Sequence, residues 1–321
     1  MTIVIPAEGA ILDRVLDSAH LLSPEGLTRH AYGRFDAALM RTAWGYRHRR
    51  RFALMDGSEL LASALQYELV AVLDGHPVRV CGISQIVPRP SPGAGESWRE
   101  LVDRLLQQAA RDGAALAVLF SSMTDEQPLA GFDVIPMLDV DIAVAAPLRR
   151  GAPMTLIRGG EERDLAAIVA MGRIRAESFR FYLDRDVGFE QYAITNKRLL
   201  AGLGTAGMRQ LHFFIAEEGI TAAAYVVISV TADTWTIEEC GDRDPSGARV
   251  GAILQALIAR EPVERRPTIR AWLPQGFVPP QVTILSRKPS TEVMLMRSLG
   301  TTAVPPPLSG NEVLYWRSDV F

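Results

Sequence analysis

Apolar residues recur along this chain at two periods, and the two periods alternate in the same order twice. Trp98, Leu101, Val102, Leu105, Leu106 and Ala109 lay an apolar stripe along one face of a predicted helix, which Gly113 ends. Val250, Ile253, Leu254, Leu257 and Ile258 draw the same stripe farther on. It closes at Glu261-Pro262, since proline lacks a donor and restricts the residue before it. Runs of β-branched and aliphatic residues predict strands. Among them are the hairpins VAVLDGHPVRVCGIS from Val70 and FFIAEEGITAAAYVVIS from Phe213, and a strand from Thr268 to Leu273.

The recurrence keeps a register. MTIVIPAEGAILDRVLDSA from Met1 matches in type MTLIRGGEERDLAAIVAMG from Met154, an offset of 153 residues. The same offset relates Pro92 to Pro245, Leu101 to Leu254, Leu105 to Ile258 and Ala115 to Thr268. Gly75 and Gly219 are only 144 apart, so the hairpins between those points differ by an indel of nine. APLRRGAP, Ala146 to Pro153, is aperiodic and reads as a linker. The expectation is two α/β domains in tandem, 1–148 and 152–321, each a mixed, mostly antiparallel twisted sheet flanked by helices. FRFYLDRDVGFEQYAITNKR, from Phe179, reads either as a cover over a groove or as two amphipathic helices.

Composition narrows the class. At 321 residues, 48% hydrophobic and 22% charged, the chain is globular and long enough for two cores. A net charge of -3 argues against nucleic acid as a partner, and the run Arg47, His48, Arg49, Arg50, Arg51 reads as a solvated helix end. No apolar run approaches the roughly 20 residues that cross a bilayer, and the first residues lack a signal peptide's charged start, which points to the cytoplasm. Cys81 and Cys240 sit in apolar runs as buried reduced thiols, and the five histidines form no metal-binding pattern.

Each half places a glycine-containing loop between a strand and a helix: VRVCGISQIVPRPSPGAGESWRELVDRLL, and TWTIEECGDRDPSGARVGAILQALI. Small residues let a backbone approach a diphosphate, and the unpaired amides of a helix's first turn point at it. A nucleoside-triphosphate loop would need Gly-Lys-Ser/Thr, and a dinucleotide fingerprint would lie nearer its domain's start. The order of strand, two helices, hairpin, strand, loop, helix, strand and late Gly-Phe resembles the GNAT superfamily of acyl-CoA-dependent N-acetyltransferases. The tandem layout resembles the enhanced intracellular survival type of aminoglycoside acetyltransferase without its third domain.

The resemblance implies acetyl-CoA or another acyl-CoA as co-substrate, no metal, and an amine of a small molecule or peptide as acceptor. A homo-oligomer is left open. VRVCGISQIVP is similar to the strand beside pantetheine, PSPGAGES to the pyrophosphate loop and AGFDVIP to the late Gly-Phe segment. This implies cofactor contacts from Ile86, Val87, Arg89, Gly93, Ala94, Gly95, Glu96 and Ser97. The alternative second loop offers Arg243, Ser246, Gly247, Ala248 and Arg249. Both loops depart from the family pattern: Pro90 and Asp244 hold its first position, and Arg249 its last.

Acyl transfer needs a polarised thioester carbonyl, a neutral amine and a proton for the thiolate. Pro88 has no amide hydrogen, so Ile86 or Val87 must polarise the carbonyl. An alkylamine of pKa about 10.4 is neutral in roughly one molecule per thousand at pH 7, so a base helps. The resemblance implies the carboxylate of Phe321, with Asp319 as alternative. The family's Tyr acid corresponds to Gln127, which cannot give a proton, leaving Tyr67, Ser121 or water. Glu238, Glu239, Asp242 and Asp244 offer attraction for a cationic amine, or solubility alone; Trp272 and Trp316 offer a pocket wall, or core. The competing expectation is a degenerate tandem protein that senses acyl-CoA or scaffolds a partner.

Overall fold

The computed structural model describes residues 1–89, 97–122, 131–146, 156–300 and 308–319. The chain divides into two compact units, Met1–Ile135 with Thr291–Ser309, and Pro136–Ser290 with Gly310–Val320.

In the first unit the order is β1 (Thr2–Pro6), α1 (Gly9–Leu22), α2 (Arg29–Arg41), α3 (Ala43–His48), β2 (Arg49–Asp56), β3 (Glu59–Leu73), β4 (His76–Pro88), α4 (Ser97–Arg111) and β5 (Leu116–Ser122). Thr28 and Thr42 cap α2 and α3, their hydroxyls accepting from the amides of Ala31 and Gly45. Asp74 and Gly75, both at positive φ, make the two-residue turn that joins β3 to β4. The stripe predicted on α4 packs Leu101, Val102, Leu105, Leu106 and Ala109 against Ala62, Ala64, Cys81, Ile83, Ala117 and Leu119. Helix α1 covers the opposite face through Val15 and Leu12, against Ala53 and Met55.

β6 (Asp133–Val144) then carries the chain into the second unit. There follow β7 (Leu156–Gly159), α5 (Leu165–Ala176), β8 (Phe181–Leu183), α6 (Val187–Leu203), β9 (Arg209–Glu218), β10 (Thr221–Thr231), β11 (Thr234–Asp242), α7 (Ala248–Ile258), β12 (Thr268–Ala271), β13 (Val282–Ser298) and β14 (Val313–Leu314). Sheet order here is β7-β9-β10-β11-β12-β6 and then the Val282–Ser290 stretch of β13. Helix α7 packs its stripe on one face, α5 and α6 on the other. The Phe179–Arg198 segment is a short strand and the start of one helix, not two helices.

The two units repeat one plan to the level of single bonds. β4–β5 and β11–β12 are the parallel pairs beside α4 and α7. Offset by 154, the amides of Arg89 and Arg243 each donate across the sheet at 2.9 Å, to Leu61 and Ala223 carbonyls. The units do not divide at the expected linker, however. β6 pairs with β12 of the second unit, and β13 returns Glu292–Ser298 to pair with β5 of the first. Local patterning identifies a strand but not the copy in which it pairs, so the boundaries 1–148 and 152–321 do not coincide with the observed units. Among the described residues no helix is long and apolar enough to cross a membrane, and no group of three or more His, Cys, Asp or Glu is placed to hold a metal ion.

Candidate functional site

In the first unit β4 and β5 pair in parallel from Val80–Leu116 to Ile83–Leu119, where the described pairing ends. β5 continues to Ser122 along β13, and β4 continues to Pro88 along β3. The strands part at a bulge: Leu65 faces Ser84 and Ser63 faces Val87, so Gln85 and Ile86 share Ala64. Gln85 has φ +45°, a backbone conformation costing about 1 kcal/mol or more outside glycine. The Arg89 amide is spent on Leu61, and alternation puts Val87 on the same side, which leaves Ile86 as the residue whose amide faces away from β3.

A buried polar layer lies on the face opposite α4. Arg49 and Arg51, two apart on β2, both turn inward, and Arg50 between them is exposed. Asp36 of α2 accepts from Arg49 Nη2 at 2.6 Å and from Arg51 Nε and Nη2 at 2.9 and 2.8 Å. Burial alone would raise the Asp36 pKa, but the two guanidinium groups overcome it and hold the carboxyl below the usual range. Arg51 also donates to Gln85 Oε1 at 2.8 Å, and the Tyr32 hydroxyl donates to the same oxygen at 3.2 Å. Burial pushes the Tyr32 pKa up, so its proton stays in place. Ser84, in the row where the strands part, has a buried Oγ with no hydrogen-bond partner among the described residues. The basic run is therefore a solvated helix end only at Arg47 and His48, which close α3, whereas Arg49 and Arg51 turn inward and form the floor under the bulge. Sequence reasoning missed Asp36, Tyr32, Ser84 and Gln85. The one available signal was an inward-facing Arg-x-Arg leading into an apolar strand.

The expected cofactor residues are distributed as follows. Ile86 lies in the bulge and against the α4 core, Val87 follows it on β4, and Arg89 comes just after β4. The Arg89 guanidinium is ion-paired with Glu59, both half exposed. Ser97 opens α4, its hydroxyl 3.2 Å from the Leu61 carbonyl. Gly93, Ala94, Gly95 and Glu96 lie outside the described residues, as do Gln127 and Phe321. Tyr67 is buried on β3 between Arg49 and Gly82 and stacks on Trp44, ring centroids 6.3 Å apart. Ser121 pairs with Val293 in the stretch of β5 beyond its pairing with β4.

The second unit repeats the parting of strands and fills it from within. Parallel pairing of β11 with β12 ends at Ile237–Ala271, next to a bulge at Glu238. Offset by 153, Glu238 stands where Gln85 stands in the first unit. At the start of α7, however, the carboxylate of Asp242 already takes up the helix amides. Its Oδ2 accepts from the amides of Arg249 at 2.8 Å and Val250 at 3.4 Å, and its Oδ1 from the Asp244 amide and Arg249 Nη1 at 2.9 and 3.0 Å. Phe277 and Gln281 press on the glycine faces of the helix, where a Cβ on Gly247 or Gly251 would lie 2.5 or 1.8 Å from them. Arg243 donates to Thr221, and Asp244 accepts from the Ser246 amide.

The other carboxylates of this stretch are spent in the same way. Glu238 pairs with Lys197 at 2.9 Å, which outweighs burial and lowers its pKa. Glu239 takes Arg185 at 2.7 Å, Ser318 at 2.8 Å and the Tyr225 hydroxyl. Arg185 also reaches Glu190 and Asp319, each at 3.1 Å. Three buried carboxylates thus share one guanidinium, and burial, opposed by Arg185, pushes Asp319 up to about 6 and Glu190 well above its usual range. Trp272 and Trp316 are core residues, 4% and 3% exposed.

The sequence matches no family model and no curated protein significantly, so likeness to known proteins rests on the fold. A GCN5-related N-acetyltransferase from Anabaena variabilis superposes with TM-score 0.68 at 10% identity, over 94% of this chain and 73% of that one. Eis1 from Mycobacterium abscessus gives 0.60 at 15%, over 93% and 74%. N-myristoyltransferase from Saccharomyces cerevisiae, solved with myristoyl-CoA bound, gives 0.54 at 8%, over 96% and 84%. The chain has the fold of the GCN5-related N-acetyltransferases, as the sequence resemblance implied.

Proposed function

We propose that the chain is an acyl-CoA-dependent N-acyltransferase that moves an acetyl group from acetyl-CoA to an amine of a small molecule or peptide, with one acyl-CoA per chain, held by the first unit. The observation that carries this reading is the difference between the two strand partings. The first opens beside Ser84, Gln85 and Ile86, and the second meets a helix start filled by Asp242. Fold likeness to acyl-CoA enzymes supports the donor class.

In this reading the thioester carbonyl lies against the Ile86 amide, which strengthens its bond as negative charge develops on oxygen. The amine nitrogen attacks, the C–N bond forms, the C–S bond breaks, and the thiolate takes up a proton. Asp36 is a poor base because two arginines hold its proton off. The amine must therefore lose its proton to another group or to water, with the Phe321 carboxylate as the candidate to be tested, and Tyr67, Ser121 or water remain the candidates to give the thiolate its proton. That lack of a base in the polar layer favours a second reading, an acyl-CoA sensor without turnover.

Calorimetric titration with acetyl-CoA, followed by thiol release across a panel of amines, separates the readings. We expect one site per chain and turnover. Binding without turnover on any amine supports the sensor, and no binding removes both. Replacing Gly93 and Gly95 together with bulky residues is expected to abolish binding; unchanged affinity would move the site to the loop at Gly247.

A further inference from the structure

The first unit contains a groove of about 750 Å³ between α1, α2 and β2. Its floor includes Asp36 and Arg51, the pair that reaches Gln85 at the bulge. His30, Arg34, Ala37 and Arg41 line it from α2 at spacings of four, three and four, one face of that helix. Arg50 and Arg51 line it from β2, and Arg29 lies at the head of α2. Against these five arginines stand the carboxylates of Glu8, Asp13 and Asp36, and Asp36 is shared between Arg51 and Arg49. Arg29 pairs outward with Asp17, and Arg34 and Arg41 have no ion-pair partner among the described residues. The groove is thus cationic in a chain whose overall charge is -3. The acidic stretch that offered attraction for a cationic amine is spent inside the second unit on Lys197, Arg185 and the α7 amides.

We infer that the acceptor is an amine bearing an anionic group, a carboxylate or a phosphate, which the α2 arginine stripe and Arg50 bind while its nitrogen is presented toward the bulge. The inference rests on the acyltransferase reading for the word acceptor, but the anion site stands apart from turnover. Guanidinium forks suit both anions, holding their oxygens in pairs. A groove of this volume takes a small molecule or a few residues of peptide.

The test uses ligands without an amine, so that binding is read apart from chemistry. N-acetylphenylalanine, its neutral amide and N-acetylphosphoethanolamine are titrated calorimetrically into the full chain, with acetate and inorganic phosphate as the smallest probes. We expect an anionic probe to bind at least tenfold more tightly than the neutral amide, and the stronger anion to identify the natural group. Arg34→Gln and Arg41→Gln, both at exposed positions that leave the core intact, should each weaken it about tenfold, whereas Arg47→Gln outside the groove should not. Equal binding of the neutral amide, failure of every anionic probe, or equal loss in Arg47→Gln would overturn the inference. In parallel, thiol release from acetyl-CoA is compared for phenylalanine against phenethylamine and for phosphoethanolamine against ethanolamine. Anion binding with no turnover on any amine would overturn the acyltransferase reading and leave the anion site standing.

Discussion

Replacing Asp242 with alanine removes a carboxylate that the chain itself has placed on the first-turn amides of α7. Its side chain is fully buried, and it accepts from two first-turn amides of α7, the Asp244 amide and the Arg249 guanidinium. Loss of a helix cap costs about 0.5–2 kcal/mol, and a hydrogen bond to a charged group contributes about 1.5–3. Arg249 keeps Glu218 as a partner, which limits the loss on that side. The expected destabilisation is therefore about 3 kcal/mol, read as a fall in the urea unfolding free energy. The second readout is specific to the reasoning. With the carboxylate gone, inorganic phosphate should raise the melting temperature of Asp242→Ala and not that of the parent, because an external anion can then reach the α7 amides. Acetyl-CoA stoichiometry should stay at one, since Phe277 and Gln281 still cover the helix. A cost below 1 kcal/mol, no phosphate effect, or two acetyl-CoA sites in the parent would refute the argument that the second site is filled from within.

Two further predictions concern the other buried charges. Asp36→Ala leaves Arg49 and Arg51 without the carboxylate they share and is expected to cost about 3–5 kcal/mol of unfolding free energy; a loss under 1 kcal/mol would mean that the pair contributes nothing. Asp319 has its folded pKa raised from 3.8 to about 6, so the native state binds the extra proton between those values, and the contribution present below about pH 4 is lost as pH rises through 6. Asp319→Asn should remove that decline, gaining on the parent by an amount on the order of 3 kcal/mol between pH 4 and 7; parallel stability curves for the two proteins would contradict it.

The helices after the two glycine-containing loops were legible because their stripes are local: α4 and α7 contain every residue of the two periodic runs. The repeat was legible because its register persists through Leu101 and Leu254, both core residues. What escaped was set by partners distant in sequence. Arg49 and Arg51 look like surface charge until Asp36, 13 and 15 residues earlier, folds beneath them. Glu239 looks solvated until Arg185, 54 residues earlier, meets it. Charge patterning gives sign and position, but burial of a charge depends on a pairing that only tertiary structure supplies.

The exchange of strands between the units bears on the order in which the chain becomes stable. β5 gains its second neighbour only from Glu292–Ser298, so the first unit, though it leads the sequence, cannot close its sheet until some 290 residues have been made. Its sheet edge waits unpaired through most of synthesis, the condition that favours intermolecular strand pairing. In the second unit β6 is made first and waits for its partner β12, more than 120 residues later. A break at the linker near residue 148 would therefore yield two incomplete sheets rather than two domains, and the chain matures as one object whose last strands finish its first.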